Sequence, residues 1–319
     1  MNTMLKPVLA ADRRGQLVVA CIILAGLALA PLVVYPVYVM KFMCLALFAS
    51  SLNLLFGHAG LLSFGHAALF GAGAYTLASS ARFWGFDPLV ALVAAMVVAA
   101  LVGLAMGYLA IRRSGIYFAM ITLALAQMVH YIVQQASFSG GEDGLHDVPR
   151  GTILGVVSLV PSGAIYTFVL IVFCLGMLAM WRIISSPFGH LLAAVREHEA
   201  RTTSLGYNVN QLKLAAFTIS AAFAGLAGGL NALVFQFATL NDLGFQLSGE
   251  AILMVLIGGA GTLFGPLLGA AIVVFLQSFL ATSNLPAPVL VGAVFVICVL
   301  LFRRGLVGEF LTRRARKAA

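Results

Sequence analysis

The residues able to do chemistry are few. Glu142 and Asp143 stand side by side in a glycine-rich hydrophilic stretch, and paired carboxylates can serve general acid–base catalysis. No nucleophile or metal-spaced cluster accompanies them. A solvated acidic turn accounts for them better, with a contact for another protein as the second reading. His58 and His66 border a glycine-rich break, and His130 lies inside an apolar run. Proton or sodium coupling places ionisable side chains inside spans, but a lone histidine among small residues is more often packed and hydrogen-bonded than a relay. Cys21, Cys44, Cys174 and Cys298 fall in apolar runs without a CxxC pair, which fits neither a disulfide framework nor a zinc site. No Gly-x-x-x-x-Gly-Lys-[Ser/Thr] occurs, so there is no P-loop. The chain reads as a protein that is not an enzyme and needs no cofactor or metal.

The elements that must position these residues are set by composition. Of 319 residues, 62% are apolar and 9% charged, with a mean hydropathy of +1.07. A soluble domain carries about 25% charged residues, so the surface faces lipid. Each span needs roughly 20 apolar residues, and the runs are long and do not alternate, which favours helices over a barrel. The expectation is an all-α, polytopic transmembrane helical fold of about 8–10 membrane segments. They fall near 17–39, 42–56, 64–80, 88–111, 115–136, 164–184, 214–237, 250–264, 266–282 and 288–302. Residues 1–16 form a cytoplasmic N-terminal segment, 17–302 one transmembrane domain and 303–319 a basic cytoplasmic tail. The first apolar run has span length and no small-residue cleavage site, so it reads as an anchor.

Charge sets orientation. With the N-terminus in the cytoplasm, the inside holds Lys6, Arg13, Arg14, Arg112, Arg113, Arg182, Arg196, Arg201, Lys213 and the six basic residues from Arg303 to Lys317, which is 15 of 18. The outside holds Lys41, Arg82 and Arg150. This is the positive-inside pattern, with an even number of spans and both termini inside. The net charge of +8 therefore marks topology rather than nucleic-acid binding.

Two glycine-rich stretches interrupt the apolar runs. The first includes Gly57, His58, Gly60, Ser63, Gly65 and His66. The second includes Gly258, Gly259, Gly261 and Thr262, ahead of Pro266. Glycine and proline weaken regular helix. A pair of breaks in two halves points to a translocation pathway and inverted repeats with broken helices. Close packing through small residues is the competing reading, and suits Gly71, Gly225 and Gly229 better. Between spans, the hydrophilic loop 185–213 holds a predicted helix over 187–205. Ser186 and Pro187 start it. Phe188, Leu192, Val195 and Thr202 share one face, opposite His190, Glu197 and Arg201, with Glu197–Arg201 an i,i+4 pair. Gly206 closes it in a left-handed cap.

These motifs carry a resemblance. Asn53-Leu54-Leu55, Gly57-His58-Ala59-Gly60, Leu62-Ser63-Phe64-Gly65-His66-Ala67-Ala68 and Gly71-Ala72-Gly73-Ala74-Tyr75 resemble the signature of branched-chain amino-acid ABC permeases. So do Gly115-Ile116-Tyr117-Phe118-Ala119-Met120, Gly140-Gly141-Glu142-Asp143-Gly144-Leu145, Ser186-Pro187-Phe188-Gly189, Arg196-Glu197, Leu205-Gly206-Tyr207, and Gly258-Gly259 with Gly261-Thr262 and Gly265-Pro266. The match runs from about 45 to 305. It implies a multi-pass subunit of the bacterial inner membrane that pairs with a second homologous permease subunit. Two cytoplasmic ATPase subunits would drive it and a periplasmic substrate-binding protein would feed it. The loop matching 186–206 would hold a coupling helix, with Glu197, Leu205 and Gly206 at the ATPase contact. His190 stands where the family carries a basic residue, often Arg. On the second reading of the acidic pair, Glu142 and Asp143 are its candidate contact with the binding protein. Urea, amides or aromatic acids are alternative substrates within the permease reading, and an ion-coupled secondary transporter is the alternative to it.

Overall fold

The computed structural model describes residues 23–32, 34–153, 155, 157–281, 292 and 306. Among them the chain is an all-α bundle. A helical stretch over 23–29 ends in a 3₁₀ turn, Ala30–Leu32. Helix α1 (Pro36–Asn53) starts with Pro36 in its first turn, where a missing N–H removes no helical bond. This corrects the expected boundary between 39 and 42. Proline sets the break, and the helix runs straight through Lys41, whose Nζ lies 3.5 Å from Gln277 Oε1. A π turn, Leu54–His58, extends α1 into a 23-residue apolar span.

The bundle continues with α2 (His66–Phe83), α3 (Pro88–Ala110), α4 (Ile116–Gln135) and α5 (Ser162–Ile184). Two short helices follow, α6 (Pro187–Glu197) and α7 (Glu199–Ser204). The last three described are α8 (Val209–Phe235), α9 (Phe245–Gly258) and α10 (Gly265–Ala281). Among the described residues, five helices are long and apolar enough to cross a membrane, and α9 and α10 are shorter apolar helices. The segment expected at 250–264 is shifted: α9 begins at Phe245 and stops at Gly258, because Gly259 has φ +112°. Apart from residue 292, the segment expected at 288–302 lies outside the described residues.

Helices α1, α2, α3 and α8 form the centre. A Cβ on Gly73 would stand 2.5 Å from Gly225 Cα, and one on Gly229 would stand 3.3 Å from Ala95 Cβ. Lipid tails are as apolar as leucine, so helices in a bilayer are held by close van der Waals contact, which small residues permit. This is the packing expected for Gly71, Gly225 and Gly229; a Cβ on Gly71 would meet Leu243 Cδ2 at 2.7 Å.

Helix α8 separates two ends by roughly 40 Å at 1.5 Å per residue. At its start Lys213 pairs with Glu199 of α7. At its finish Gln236 (φ +61°) ends the helix, and Leu145 pairs with Ala238. Arg112, Arg113, Arg182, Arg196, Arg201 and Lys213 lie toward the first end, called here the basic end. Arg82, Arg150 and Lys41 lie toward the other. There Arg82 Nη1 donates to His146 O at 2.8 Å, and Arg150 Nη2 to Val234 O at 2.9 Å. The loop between α4 and α5 adds a small antiparallel pair, β1 (Thr152–Ile153) and β2 (Val157–Ser158).

Candidate functional site: a junction of two glycine linkers

The two glycine-rich stretches meet. The first links α1 to α2 and the second links α9 to α10, so both are connections between helices. Asn53, at the end of α1, joins them. Its Nδ2 donates to Thr262 O at 2.9 Å, and its Oδ1 accepts from Gly261 N at 2.8 Å. The π turn that follows lets Gly57 lie directly on the second linker: a Cβ there would stand 2.5 Å from Gly261 N and 2.9 Å from Gly261 Cα. Gly60 (φ +73°), Gly259 (φ +112°) and Gly261 (φ +81°) adopt backbone that side-chain-bearing residues avoid. Thr262 closes the second linker. Its Oγ1 donates to Gly259 O at 2.8 Å and accepts from Gly265 N at 3.1 Å.

Helix α6 reaches into this junction. Arg196 Nη1 donates to Gly57 O. The Arg196 side chain also packs on both linkers, since a Cβ on Gly60 would stand 3.0 Å from Arg196 Cγ and one on Gly261 3.3 Å from Arg196 Nη1. One guanidinium thus ties the loop between α5 and α8 to both breaks.

A second polar cluster sits deeper. His66 is fully buried at the start of α2. Its Nε2 lies 2.9 Å from Ser51 Oγ and 3.4 Å from Ser220 Oγ, and its ring stacks on Phe48. Ser220 is 11 positions along α8, about 16 Å from its start. Ser248 Oγ of α9 accepts from Ala67 N at 2.8 Å, satisfying one of the orphan donors of α2.

The predicted pathway residues therefore fall into one region. Gly57, His58, Ser63, Gly65, His66, Gly258, Gly259 and Thr262 are buried there, Gly261 is half-buried and Gly60 is exposed. His58 Nδ1 lies 3.3 Å from Asn53 O. Ser63 Oγ accepts from Gly65 N at 3.3 Å. Spacing and composition do not single out Asn53, Arg196, Ser51 or Ser220 as site residues. The signal available for Asn53 and Ser51 was a polar side chain inside an apolar run.

The predicted helix over 187–205 is two helices. His198 (φ −149°, ψ 85°) breaks it between α6 and α7. The expected Glu197–Arg201 pair is therefore not formed, because the break destroys the i,i+4 spacing. Ser186 holds the N-cap position, but its hydroxyl donates to Ile183 O at 2.6 Å instead of capping. The amphipathic division holds: Leu192, Val195 and Thr202 are buried, Phe188 is half-buried, and His190, Glu197 and Arg201 are exposed. Gly206 has φ +90° and follows α7 with its N–H on Thr203 O at 2.9 Å. Glu197, Leu205 and Gly206 all lie on the exposed side, with Leu205 72% exposed.

Glu199 enters the face as an ion-pair partner: Lys213 Nζ lies 2.7 Å from its Oε1, with the side chains 7% and 51% exposed. Glu199→Gln leaves the Lys213 ammonium buried without its counter-charge, a loss of about 1–2 kcal/mol. The expected result is faster proteolysis within 198–206, reversed by adding Lys213→Met. Unchanged cleavage would mean that water already shields the pair.

At the other end, Glu142 and Asp143 are exposed. Gln134 Nε2 donates to Glu142 Oε1 at 3.3 Å, and His146 Nε2 lies 2.8 Å from Asp143 O. Between α8 and α9, burial pushes the Asp242 carboxyl above its ordinary range, opposed by hydrogen bonds from Thr239.

A bundle of apolar helices, two glycine linkers locked together and an amphipathic loop tied to them by one arginine define a membrane-embedded helical protein. The chain belongs to the family described as branched-chain amino acid transport system / permease component, which matches residues 37–302. It is 28% identical over 278 residues to the high-affinity branched-chain amino acid transport system permease protein LivM of Salmonella typhimurium, and equally to LivM of Escherichia coli. Each match covers 80% of this chain but 65%, just under two thirds, of the relative. It is also 27% identical over 215 residues to the autoinducer 2 import system permease protein LsrC of an Enterobacter strain, covering 64% of this chain and 59% of the relative. No solved structure matches it.

Proposed function

We propose that this chain is the membrane-spanning subunit of an ABC importer and forms a translocation pathway for branched-chain or related amino acids. Separate cytoplasmic ATPase subunits power it, a second homologous permease subunit completes the pathway, and a periplasmic binding protein delivers substrate. Its place is the bacterial inner membrane, with the basic end and both termini cytoplasmic. The observation that carries this reading is the Arg196 bridge. An amphipathic loop at the basic end touches both glycine linkers through one side chain, so a push on the loop reaches the bundle. Packed elements shift between discrete arrangements rather than bending continuously. The exposed Glu197, Leu205 and Gly206 give the loop a free face for an ATPase. The junction residues Gly57, His58, Gly60, Ser63, Gly65, His66, Gly258, Gly259, Gly261 and Thr262 then form the moving inner section of the pathway. Glu142 and Asp143, exposed at the far end, are placed to meet the binding protein. The names of the LivM relatives favour leucine-like amino acids over urea, amides or aromatic acids.

Reconstitution tests this reading. A tagged chain should bring down ATPase subunits from its native membrane. Liposomes holding the full assembly should take up branched-chain amino acids only with ATP and loaded binding protein. The chain alone, under an imposed proton or sodium gradient, should take up nothing; gradient-driven uptake would install the secondary-transporter reading instead.

A further inference from the structure

Helix α4 has a face that a lipid-exposed helix does not have. Its apolar window is the least covered of the five spans, 22% buried. It packs on the bundle through Phe118, Ala119, Thr122 and Ala126. Gln127 and Tyr131 lie away from that side, while His130 and Gln134 continue the row of Phe118, Thr122 and Ala126 through 4-residue spacing. Gln127 and Tyr131 are exposed, and His130 and Gln134 are half-buried. His130 Nδ1 is shielded by the protein yet has no hydrogen-bond partner among the described residues. Gln127 is 11 positions into the helix, about 16 Å along it, near the middle of a hydrocarbon layer about 30 Å thick.

The neighbouring α3 supplies the comparison. Its exposed side chains from Leu89 to Leu104 are valines and leucines throughout, as contact with lipid tails demands. An exposed glutamine held in the same hydrocarbon would be left unsatisfied, and a polar group without a partner there is strongly unfavourable. Water, a solute or another protein must meet the α4 face. The polar groups also continue to one mouth, since Gln134 donates to the exposed Glu142 at 3.3 Å.

We propose that this face of α4 is the wall of the solute pathway contributed by this subunit, and that Gln127 and Tyr131 contact the passing solute. The inference rests on the function proposed above and adds the contact residues to it. Both side chains are uncharged donors and acceptors. They can exchange hydrogen bonds with a zwitterion of no net charge, such as an amino acid, without the ion pair that would hold it in place. Passage requires such binding, favourable enough to admit the solute and weak enough to release it.

The test uses the complete transporter in proteoliposomes, in a background where Cys21, Cys44, Cys174 and Cys298 are replaced and transport is retained. Gln127→Cys and Tyr131→Cys are compared with Val97→Cys and Leu101→Cys on α3. A charged, membrane-impermeant methanethiosulfonate reacts with the thiolate, which forms only where water reaches. The expected result is modification at 127 and 131 at least about tenfold faster than at 97 and 101, slowed by the transported amino acid. Equally slow modification at all four positions, with a lipid-soluble maleimide labelling 127, would place α4 against lipid and overturn the proposal. No labelling at 127 or 131, with a bifunctional reagent cross-linking them to the second permease subunit, would make the face an interface and also overturn it. Rapid modification that no amino acid slows would overturn the solute contact. An assembly that transports amino acids while failing these labelling tests refutes this inference alone. One that transports no amino acid refutes the function on which it rests.

Discussion

Arg196→Leu is expected to uncouple the transporter while leaving it inserted and assembled. The substitution keeps an apolar stem of similar reach on α6 but removes the donor to the Gly57 carbonyl and the contact with the second linker. A hydrogen bond from a charged group contributes about 1.5–3 kcal/mol, roughly a ten- to hundredfold change in an equilibrium constant. Stimulation of ATP hydrolysis by loaded binding protein should fall by that order, and transport with it, at unchanged membrane abundance. Arg196→Lys should recover only part of the loss. A point charge can reach one carbonyl, but it lacks the planar fork that spans two surfaces. Wild-type stimulation and transport in Arg196→Leu would remove the bridge from the mechanism. The same measurement made on Glu199→Gln, whose ion pair joins α7 to α8 rather than to either linker, should show a smaller effect.

Gly57→Ala is expected to destabilise the bundle. The new methyl would stand 2.5 Å from Gly261 N and 2.9 Å from Gly261 Cα, and would press on the Asn53 carboxamide. The Gly261 backbone cannot yield, and the Asn53 carboxamide is held by its bonds to Gly261 and Thr262. Either the linkers separate and Asn53 loses its bonds to Gly261 and Thr262, or α1 shifts. Overpacking of this kind destabilises by about 1–3 kcal/mol, and the lost buried hydrogen bonds add to it. The purified protein in detergent should unfold at a clearly lower temperature, and its membrane abundance should drop. Gly249→Ala is the control, because nothing lies within 4 Å of the added methyl inside α9. There alanine should be neutral or stabilise by up to about 1 kcal/mol through helix propensity. Equal melting of the two variants would mean that the linkers are not packed as described.

Sequence alone determined the solvent and the class of fold. The surplus of apolar residues and the lack of alternation left helices in lipid as the only solution, because backbone groups there must bond within their own segment. Basic residues clustered by end, and the structure keeps the described ones apart along α8. The glycine stretches were visible because glycine and proline interrupt helical runs wherever they occur. Local pattern likewise identified the start at Ser186-Pro187, the close at Gly206 and the buried face of the loop.

What tertiary structure decided were relations between residues far apart in the chain. Asn53 and Thr262 are separated by 209 positions, and Arg196 and Gly57 by 139. No periodicity encodes such pairs, since each depends on how whole helices pack. The kink at His198 was equally hidden. Periodicity counts residues along an uninterrupted helix, whereas Glu199 turns toward the buried Lys213 on another helix. The polar face of α4 required both kinds of knowledge. Gln127 and Tyr131 share a face by spacing alone, but only packing reveals that the bundle buries the row of Phe118, Thr122 and Ala126 and leaves theirs free. An amphipathic pattern records that two faces differ; the neighbours a helix acquires in the folded protein determine which of them stays free for a solute.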